Sequence, residues 1–351
     1  MNFKSDFFVP ADGYRSKFGN LYDVNAAIGM LRTIFEGELE RDEPSRDDPR
    51  KRVGLGLKRA TAPLVLPTGK GINDDLAGWQ KKVTGSSPVA GDFEVPNSLA
   101  KWKRKKLAHM NFYPGKGIWT NMNAIRPDED VLDNTHSIYV DQWDCEKVMN
   151  PQDRNLDYLY NIITEICAAI YRTQEKVQKR YPQLEGIEPR PVEFVTSDEL
   201  LKMRCFKGMS PKQIEDKLAE DKKTVFIAKI GGGKWDVRAP DYDDYSLNGD
   251  LLIYSGILKR AVELLSGGIR VDAATLEKQL RGSGAWEERK DLEYHKAVLE
   301  GKYPQTVGWG IGQSRLCMLL LDMLHIGQVH SSVWDQKTMD TAKKHGVEFM
   351  T

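Results

Sequence analysis

The sequence predicts an α+β fold, a mostly antiparallel mixed sheet flanked by helices. Three observations lead there. Residues 118–125 and 137–140 read as strands joined by the charged tip 127–134, a hairpin rather than a crossover. Residues 155–178 carry Leu159, Ile162, Ile163, Ile166 and Ile170 on one stripe, the period of a long helix with a single buried face. Strands and helices follow one another without the strict βαβ alternation of a doubly wound sheet, and there is no internal repeat.

Taken in order, residues 1–22 are aromatic and irregular. Asp23 caps a helix with Val24, Ala27, Ile28, Leu31, Ile34, Phe35 and Leu39 on one face. The stretch 41–52 has nine charges, two prolines and no apolar residue, so it reads as a solvated loop or disordered insertion. Residues 60–66 read as a buried strand. Pro63 inside it cannot donate to a ladder, which places the strand at an edge or interface. A short helix is expected at 98–106, then the hairpin and the long helix. A strand follows at 192–195, and Ser197 caps a helix. Ser210-Pro211 opens another, with cap and first-turn proline in order. Strands are expected at 224–230, 251–254 and 268–271, helices at 273–280 and 292–300, and a last helix capped by Ser314. The expected organisation is an irregular segment at 1–22, one catalytic domain over 23–335 with a charged surface insertion at 41–53, and a tail at 336–351.

Composition narrows the class. With 351 residues and 40% hydrophobic content the chain can build a large core. A formal net charge of zero argues against a dedicated nucleic-acid binder. Four scattered cysteines without a CxxC pair fit a reducing compartment and argue against zinc. The first residues lack a signal-peptide pattern, and the run Leu316 to Leu321 is too short to cross a bilayer. A cytoplasmic protein is expected, with no nucleic acid and no membrane among its partners.

Several stretches carry chemistry. Gly308-Trp309-Gly310-Ile311-Gly312 allows a backbone to pass flat against a ligand, and Arg315 follows in the first turn of a helix. A guanidinium fixed there can stack on a purine or fork onto phosphate. Arg126, at the end of the first hairpin strand, can grip a phosphate or pair with Asp128 or Glu129. Gln142 and Asp144 share one strand face, suited to a small polar amino acid or to solvent. Glu263 and Ser266 offer hard oxygens to Mg²⁺, and Arg270 suits a carboxylate. Asp241, Asp243 and Asp244 within four positions require a cation among them unless they form a solvated loop. In the run 101–106 one lysine turned inward would balance a substrate carboxylate. Gly231-Gly232-Gly233-Lys234 is not a P-loop, because Trp235 stands where Ser or Thr would be needed. His325 and His330 read as packing or capping groups, and Cys145 as a buried bystander.

Together these residues resemble the asparagine synthetase A family of ammonia-dependent aspartate–ammonia ligases, with its class II aminoacyl-tRNA synthetase-like core. The resemblance rests on Ser98-Leu99-Ala100-Lys101-Trp102-Lys103-Arg104, Arg126-Pro127-Asp128-Glu129-Asp130, Val140-Asp141-Gln142-Trp143-Asp144, Arg238-Ala239-Pro240-Asp241-Tyr242-Asp243-Asp244, Gly268-Ile269-Arg270-Val271-Asp272 and Gly310-Ile311-Gly312-Gln313-Ser314-Arg315. It implies an ATP- and Mg²⁺-dependent ligase that converts aspartate to asparagine through β-aspartyl-AMP, with AMP and pyrophosphate released. It also implies a homodimer, with Pro63 at the subunit contact. By the same resemblance Arg126 and Gln142 hold the reacting β-group and Asp74 meets the incoming nitrogen. Ser98, Lys101, Asp144 and Arg270 hold the ends of aspartate. Arg126, Asp243, Glu263, Ser266 and Arg315 serve ATP, with Glu263 and Ser266 as metal ligands. The nitrogen donor is expected to be ammonia, with glutamine left open. The chain departs from the family at the 41–53 insertion, in a short stretch between Gly233 and Tyr245, and at Lys70 and Ile72 beside Asp74. The competing expectation is a tRNA-independent aspartyl-tRNA synthetase paralogue that makes an aspartyl adenylate for another acceptor, or only binds and regulates. A true tRNA synthetase would need a further anticodon-binding domain.

Overall fold

The computed structural model describes residues 7–45, 48, 52–73, 81–129, 132–233 and 235–351. Among them, eight strands form the main sheet: β1 (Leu57–Arg59), β2 (Gly117–Ile125), β3 (Tyr139–Val148), β4 (Glu193–Thr196), β5 (Thr224–Ala228), β6 (Asp243–Ser255), β7 (Arg260–Arg270) and β8 (Thr306–Gly312). They lie side by side as β1-β2-β3-β8-β7-β6-β5-β4. The six central strands are antiparallel, and only the edge pairs β1–β2 and β4–β5 are parallel. A three-stranded sheet of Leu66–Pro67, Thr84–Ser87 and Gly91–Glu94 stands apart. The helices are α1 (Leu21–Glu40), α2 (Ala100–His109), α3 (Leu156–Arg180), α4 (Ser197–Lys202), α5 (Pro211–Lys222), α6 (Ala273–Gly282), α7 (Trp286–Arg289), α8 (Glu293–Leu299), α9 (Gln313–Leu320) and α10 (Gln336–Lys344).

The expected α+β layout is therefore present, and the pleat explains how it positions a site. One face of the central strands carries Trp143, Cys145, Leu265, Ile269, Val307, Trp309 and Ile311, which join the apolar stripes of α1, α3 and α9 in one core. On α3 the predicted residues Leu159, Ile162, Ile163, Ile166 and Ile170 are all buried. Each such side chain contributes roughly 1.5–3 kcal/mol relative to exposure. The alternate positions, Gln142, Asp144 and Glu146 among them, fall on the other face.

Several local expectations are corrected. Helix α1 starts two residues before Asp23 and is capped by Asn20, whose side chain accepts from the Asp23 N–H at 3.0 Å. Thr196, not Ser197, caps α4, with Glu199 closing a capping box. Ser314 does not cap α9. The cap residue is Gly312, and the Asp141 carboxylate from β3 accepts from both the Ser314 N–H (3.0 Å) and its hydroxyl (2.8 Å). Residues 60–65 are not a strand. The ladders are Leu57–Arg59 before and Leu66–Pro67 after, with Pro63 between them, because a proline without an N–H breaks the run. The expected strand 251–254 lies within the longer β6, and 268–271 overlaps the end of the longer β7, which stops at Arg270; the two form a hairpin whose polar and glycine positions mask its length. The charged stretch after α1 has its described ends paired, Glu43 with Val53 and Pro44 with Arg52. The segment 336–351 holds helix α10, and Val347 and Phe349 beyond it are buried in the main core. No helix among the described residues is long and apolar enough to cross a membrane.

Candidate active site

Three neighbouring strands build a polar floor. The register sets Gly312 opposite Gln142, Gly310 opposite Asp144 and Gly308 opposite Glu146 across β8 and β3. A Cβ on Gly308 would collide with the Glu146 carboxylate and the Arg270 guanidinium, and one on Gly310 with the Gln142 amide. The glycines of β8 thus leave room for large polar side chains of the flanking strands to lie over the sheet. On β7, Glu263 and Ser266 are three apart and would face opposite sides of a regular strand. The ladder pairs Leu252 with Glu263 but Leu251 with Leu265, so Leu264 is an extra, bulged residue. The bulge returns Glu263 to the side of Ser266, and both border one cavity of about 470 Å³.

That cavity adjoins a second of about 220 Å³, and Arg126, Gln142, Glu263 and Gly310 line both. The smaller one also holds His136 and Arg315. Arg126 extends from the end of β2. Its Nη2 donates over 3.4 Å to the Asn97 carbonyl and its buried Nε has no partner. Burial first, and then the nearby Arg315 charge, lowers the proton affinity of this guanidinium, which nonetheless stays cationic. A cation so placed calls for an anion. Arg315 donates to the Glu263 carbonyl at 2.7 Å and to His136 Nε2 at 3.2 Å. Loss of water works against the charge of Glu263, but Arg315, Arg238, His136 and Arg126 hold its carboxyl below the usual range. Arg238 donates to Ser266 Oγ at 2.8 Å and to Asp250 Oδ2 at 2.6 Å. Burial pushes the Asp250 carboxyl well up; Arg238 opposes the rise and Glu263 adds to it.

The larger cavity ends in a buried charge network. Arg270 gives Nε to Glu146 Oε1 at 3.0 Å, Nη2 to Glu146 Oε2 at 2.7 Å and Nη1 to Asp243. Burial works against the Glu146 charge, yet Arg270 and Lys103 hold that carboxyl low. Asp144 accepts the Leu99 N–H at 3.2 Å and pairs with Lys103, whose ammonium also reaches the Cys145 carbonyl at 2.8 Å. The acidic run 241–244 is neutralised residue by residue: Asp241 by Lys101, Arg289 and His295, Asp243 by Arg270, and Asp244 by Arg154.

Of the residues singled out in the sequence, Arg126, Gln142, Ser98, Asp144, Arg270, Asp243, Glu263, Ser266 and Arg315 all line these two cavities. Lys101 does not. It turns to Asp241 at 2.8 Å and lines a separate cavity, while Lys103, two residues on, reaches Asp144. Asp74 lies outside the described residues. Glu146, Lys103, Asp250 and His136 belong to the site but were not singled out. The signal for Glu146 was available, because it continues the alternation of Gln142 and Asp144. Cys145 is fully buried with its thiol pushed well up by burial, as suits a bystander. His325 caps a 3₁₀ turn and His330 bonds Ser314. Among the described residues, no group of three or more His, Cys, Asp and Glu is gathered as a ready metal cage. The arrangement suits a polyanion against Arg126 and Arg315, beside a small zwitterion between Asp144 and Arg270.

Comparison with known proteins agrees. A family model described as aspartate–ammonia ligase matches residues 24–346. A Clostridium tetani protein named aspartate–ammonia ligase is 46% identical over 338 residues, covering 94% of both chains. One from Lactobacillus delbrueckii subsp. bulgaricus is 43% identical over 350 residues, covering 97% of this chain and 98% of its own. Among solved structures, asparaginyl-tRNA synthetase from Pyrococcus horikoshii complexed with asparaginyl-adenylate superposes with a TM-score of 0.64 at 14% identity, over 88% of this chain and 68% of that one. The Entamoeba histolytica asparaginyl-tRNA synthetase gives 0.63 at 14% identity, over 88% and 67%. The fold is that of the class II aminoacyl-tRNA synthetase catalytic core.

Proposed function

The chain belongs to the aspartate–ammonia ligase family, enzymes that make asparagine from aspartate and ammonia with ATP, and we propose that the two adjoining cavities carry both half-reactions. The β-carboxylate of aspartate has a poor leaving group. Attack of one of its oxygens on the α-phosphorus of ATP expels pyrophosphate and leaves β-aspartyl-AMP. Ammonia then forms the C–N bond, and AMP departs with the C–O electrons.

The observation that carries this reading is Arg126, a half-buried guanidinium whose buried Nε has no partner among the described residues, in the wall that both cavities share. It supports a role on the phosphate and β-carboxylate oxygens as their charge reorganises. Gln142, beside it, offers an amide to the same β-group. Asp144, oriented by Lys103 and the Leu99 N–H, suits the α-ammonium, with Ser98 nearby. Arg270 has five N–H donors and spends three on Glu146 and Asp243, so two remain for the α-carboxylate. Asp243 thus serves by fixing Arg270, and Arg315 suits the purine or the phosphate chain. By family resemblance Asp74 meets the nitrogen, which ammonia supplies.

Magnesium is part of the proposal. The donors fit a hard cation: the Glu263 carboxylate and the Ser266 hydroxyl oxygen border the same cavity. Bound there, the ion would neutralise phosphate charge. The proposal also includes a cytoplasmic homodimer with Pro63 at the contact, and 23–335 as one catalytic domain bearing the 41–53 insertion.

Incubation with aspartate, ATP and ammonium should yield asparagine, AMP and pyrophosphate in equal amounts. ADP and phosphate as products, or an aspartyl adenylate that ammonium does not consume, would overturn the reading in favour of another acceptor.

A further inference from the structure

A third cavity, of about 230 Å³, borders the segment that carries Asp241 and the first turn of α2. Lys101 from α2, Asp241 and His295 from α8 line it, together with Gly71 and Asn73. Two of these residues are almost completely buried and each keeps one polar atom without a partner among the described residues: Asp241 Oδ1 and His295 Nδ1. The other carboxylate oxygen, Oδ2, takes Lys101, Arg289 and His295 Nε2, each at 2.8 Å. The Lys101 and Arg289 charges and the His295 hydrogen bond hold Asp241 ionised against its burial. Burial, with the Lys101 and Arg289 charges, lowers the His295 pKa and favours the neutral ring; facing a carboxylate, its Nε2 carries the hydrogen, so Nδ1 presents a lone pair. Both unpartnered atoms are therefore acceptors, and a buried acceptor left unmet is costly.

The occupant that satisfies them is small and made of N–H bonds. Gly71 makes the space: its φ is +65°, and a Cβ there would stand 3.0 Å from His295 Nδ1. A line of contacts leads onward. Asn73 donates to Glu94 at 2.9 Å and to the Val95 carbonyl at 3.0 Å, and its Oδ1 accepts the Asn97 N–H at 2.8 Å. Asn97, wholly buried, has both side-chain amide atoms without a partner, and its carbonyl accepts from Arg126. Polar atoms thus connect the third cavity to the wall of the reaction site.

We propose that the Asp241–His295 cavity is the intake site for the nitrogen substrate, holding ammonia or ammonium by Asp241 Oδ1 and His295 Nδ1 and passing it along Asn73 and Asn97 toward Arg126. This rests on the ligase reading. His295 and Asp241 hold the incoming nitrogen and make no contact with aspartate or ATP.

The test compares the KM for ammonium with the KM for aspartate in His295→Leu, His295→Gln and Gly71→Ala. The aspartate-dependent exchange of pyrophosphate into ATP is followed in parallel. His295→Leu should raise the ammonium KM by roughly tenfold or more, the loss of one or two good hydrogen bonds. The aspartate KM and the exchange rate should stay near wild type. His295→Gln, which keeps a donor for Asp241 and an acceptor for the ligand, should recover most of the affinity. Gly71→Ala leaves the Asp–His pair intact and should raise the ammonium KM by crowding Nδ1, which keeps the inference testable if His295→Leu does not fold. Competition by potassium identifies the ammonium ion as the held form. Its absence, with a KM that falls as pH rises, identifies free ammonia. An ammonium KM unchanged in all three variants, or one that moves only in step with the aspartate KM and exchange, would overturn the inference. Failure of the wild type to make asparagine despite normal exchange would instead remove the ligase reading beneath it.

Discussion

At the scale of single residues, charge without a matching partner is the sign of function. Arg126 is half-buried, its side chain donates to a carbonyl at 3.4 Å while its buried Nε has no partner among the described residues, and it lies near a second cation. Arg126→Ala should lower aspartate-dependent pyrophosphate exchange by about 10²–10³-fold, the usual cost of removing one preorganised donor from developing charge. Arg126→Lys should recover little, since an ammonium lacks the planar fork. Exchange near the wild-type rate in either variant would contradict the phosphate role. Glu146 makes the opposite case, a carboxylate with every neighbour in place. Arg270 and Lys103 hold it below its unfolded value, so its contribution is present above about pH 4.3 and fades as pH falls through the folded value. Glu146→Gln should destabilise the protein at pH 7 by about 3–5 kcal/mol, because it leaves buried cations unbalanced. It should also flatten the acid limb of the stability profile, read as urea midpoints between pH 7 and 3. An unchanged midpoint at pH 7 would show that the network is not coupled. These residues differed in how legible they were. Gln142, Asp144 and Arg270 could be read because a strand face is a period of two and an arginine after glycines is conspicuous. The choice between Lys101 and Lys103 could not, since both sit in one run of lysines and only the turn of α2 decides which meets Asp144.

At the scale of elements, the sequence speaks clearly where one face is apolar and poorly where polar groups are buried. The stripe on α3 was readable because its residues repeat at helical spacing and pack into the main core. Ile166 is fully buried there, so Ile166→Ala should cost about 2–5 kcal/mol in denaturant unfolding. The KM for aspartate should stay unchanged in the folded fraction, since α3 lies behind the sheet. A shift in KM would mean that the helix helps to set the site. Strand β7 was the harder case. Its segment 263–268 mixes Glu, Ser and two glycines, a composition suited to a loop, yet it forms a strand because its polar side chains face a cavity instead of a core. The bulge at Leu264, which lets Glu263 and Ser266 act together, leaves no mark in a single sequence. The caps show the same limit. Asp141 accepts the Ser314 N–H at the start of α9 from a strand more than 170 residues away, and only the fold brings the two together.

At the scale of the whole molecule, the fold class was legible but the order of strands was not. Hairpin spacing gave β2–β3, whereas β8 pairs with β3 across more than 150 residues, and no local pattern encodes that choice. The same reading placed Pro63 in a strand and at a subunit contact. The strand is absent, and Pro63 lies in the connection that leads to Leu66. Leu64 is 73% exposed and Val65 42% exposed, side by side beyond Pro63. Adjacent apolar side chains in that state are candidates for burial against a second surface. The homodimer proposed above would supply it. Light scattering should then give twice the 39.8 kDa chain mass. Leu64→Glu should shift the distribution toward single chains, because a carboxylate buried in an apolar contact without a partner is strongly disfavoured. Asparagine synthesis should become dependent on protein concentration in that variant, if the contact also steadies the residues after Val65 that lead to the third cavity. A dimer unmoved by Leu64→Glu would place the contact elsewhere. A wild-type chain that scatters as a monomer, with full activity at nanomolar concentration, would show that one copy of the sheet and its cavities is the complete catalyst.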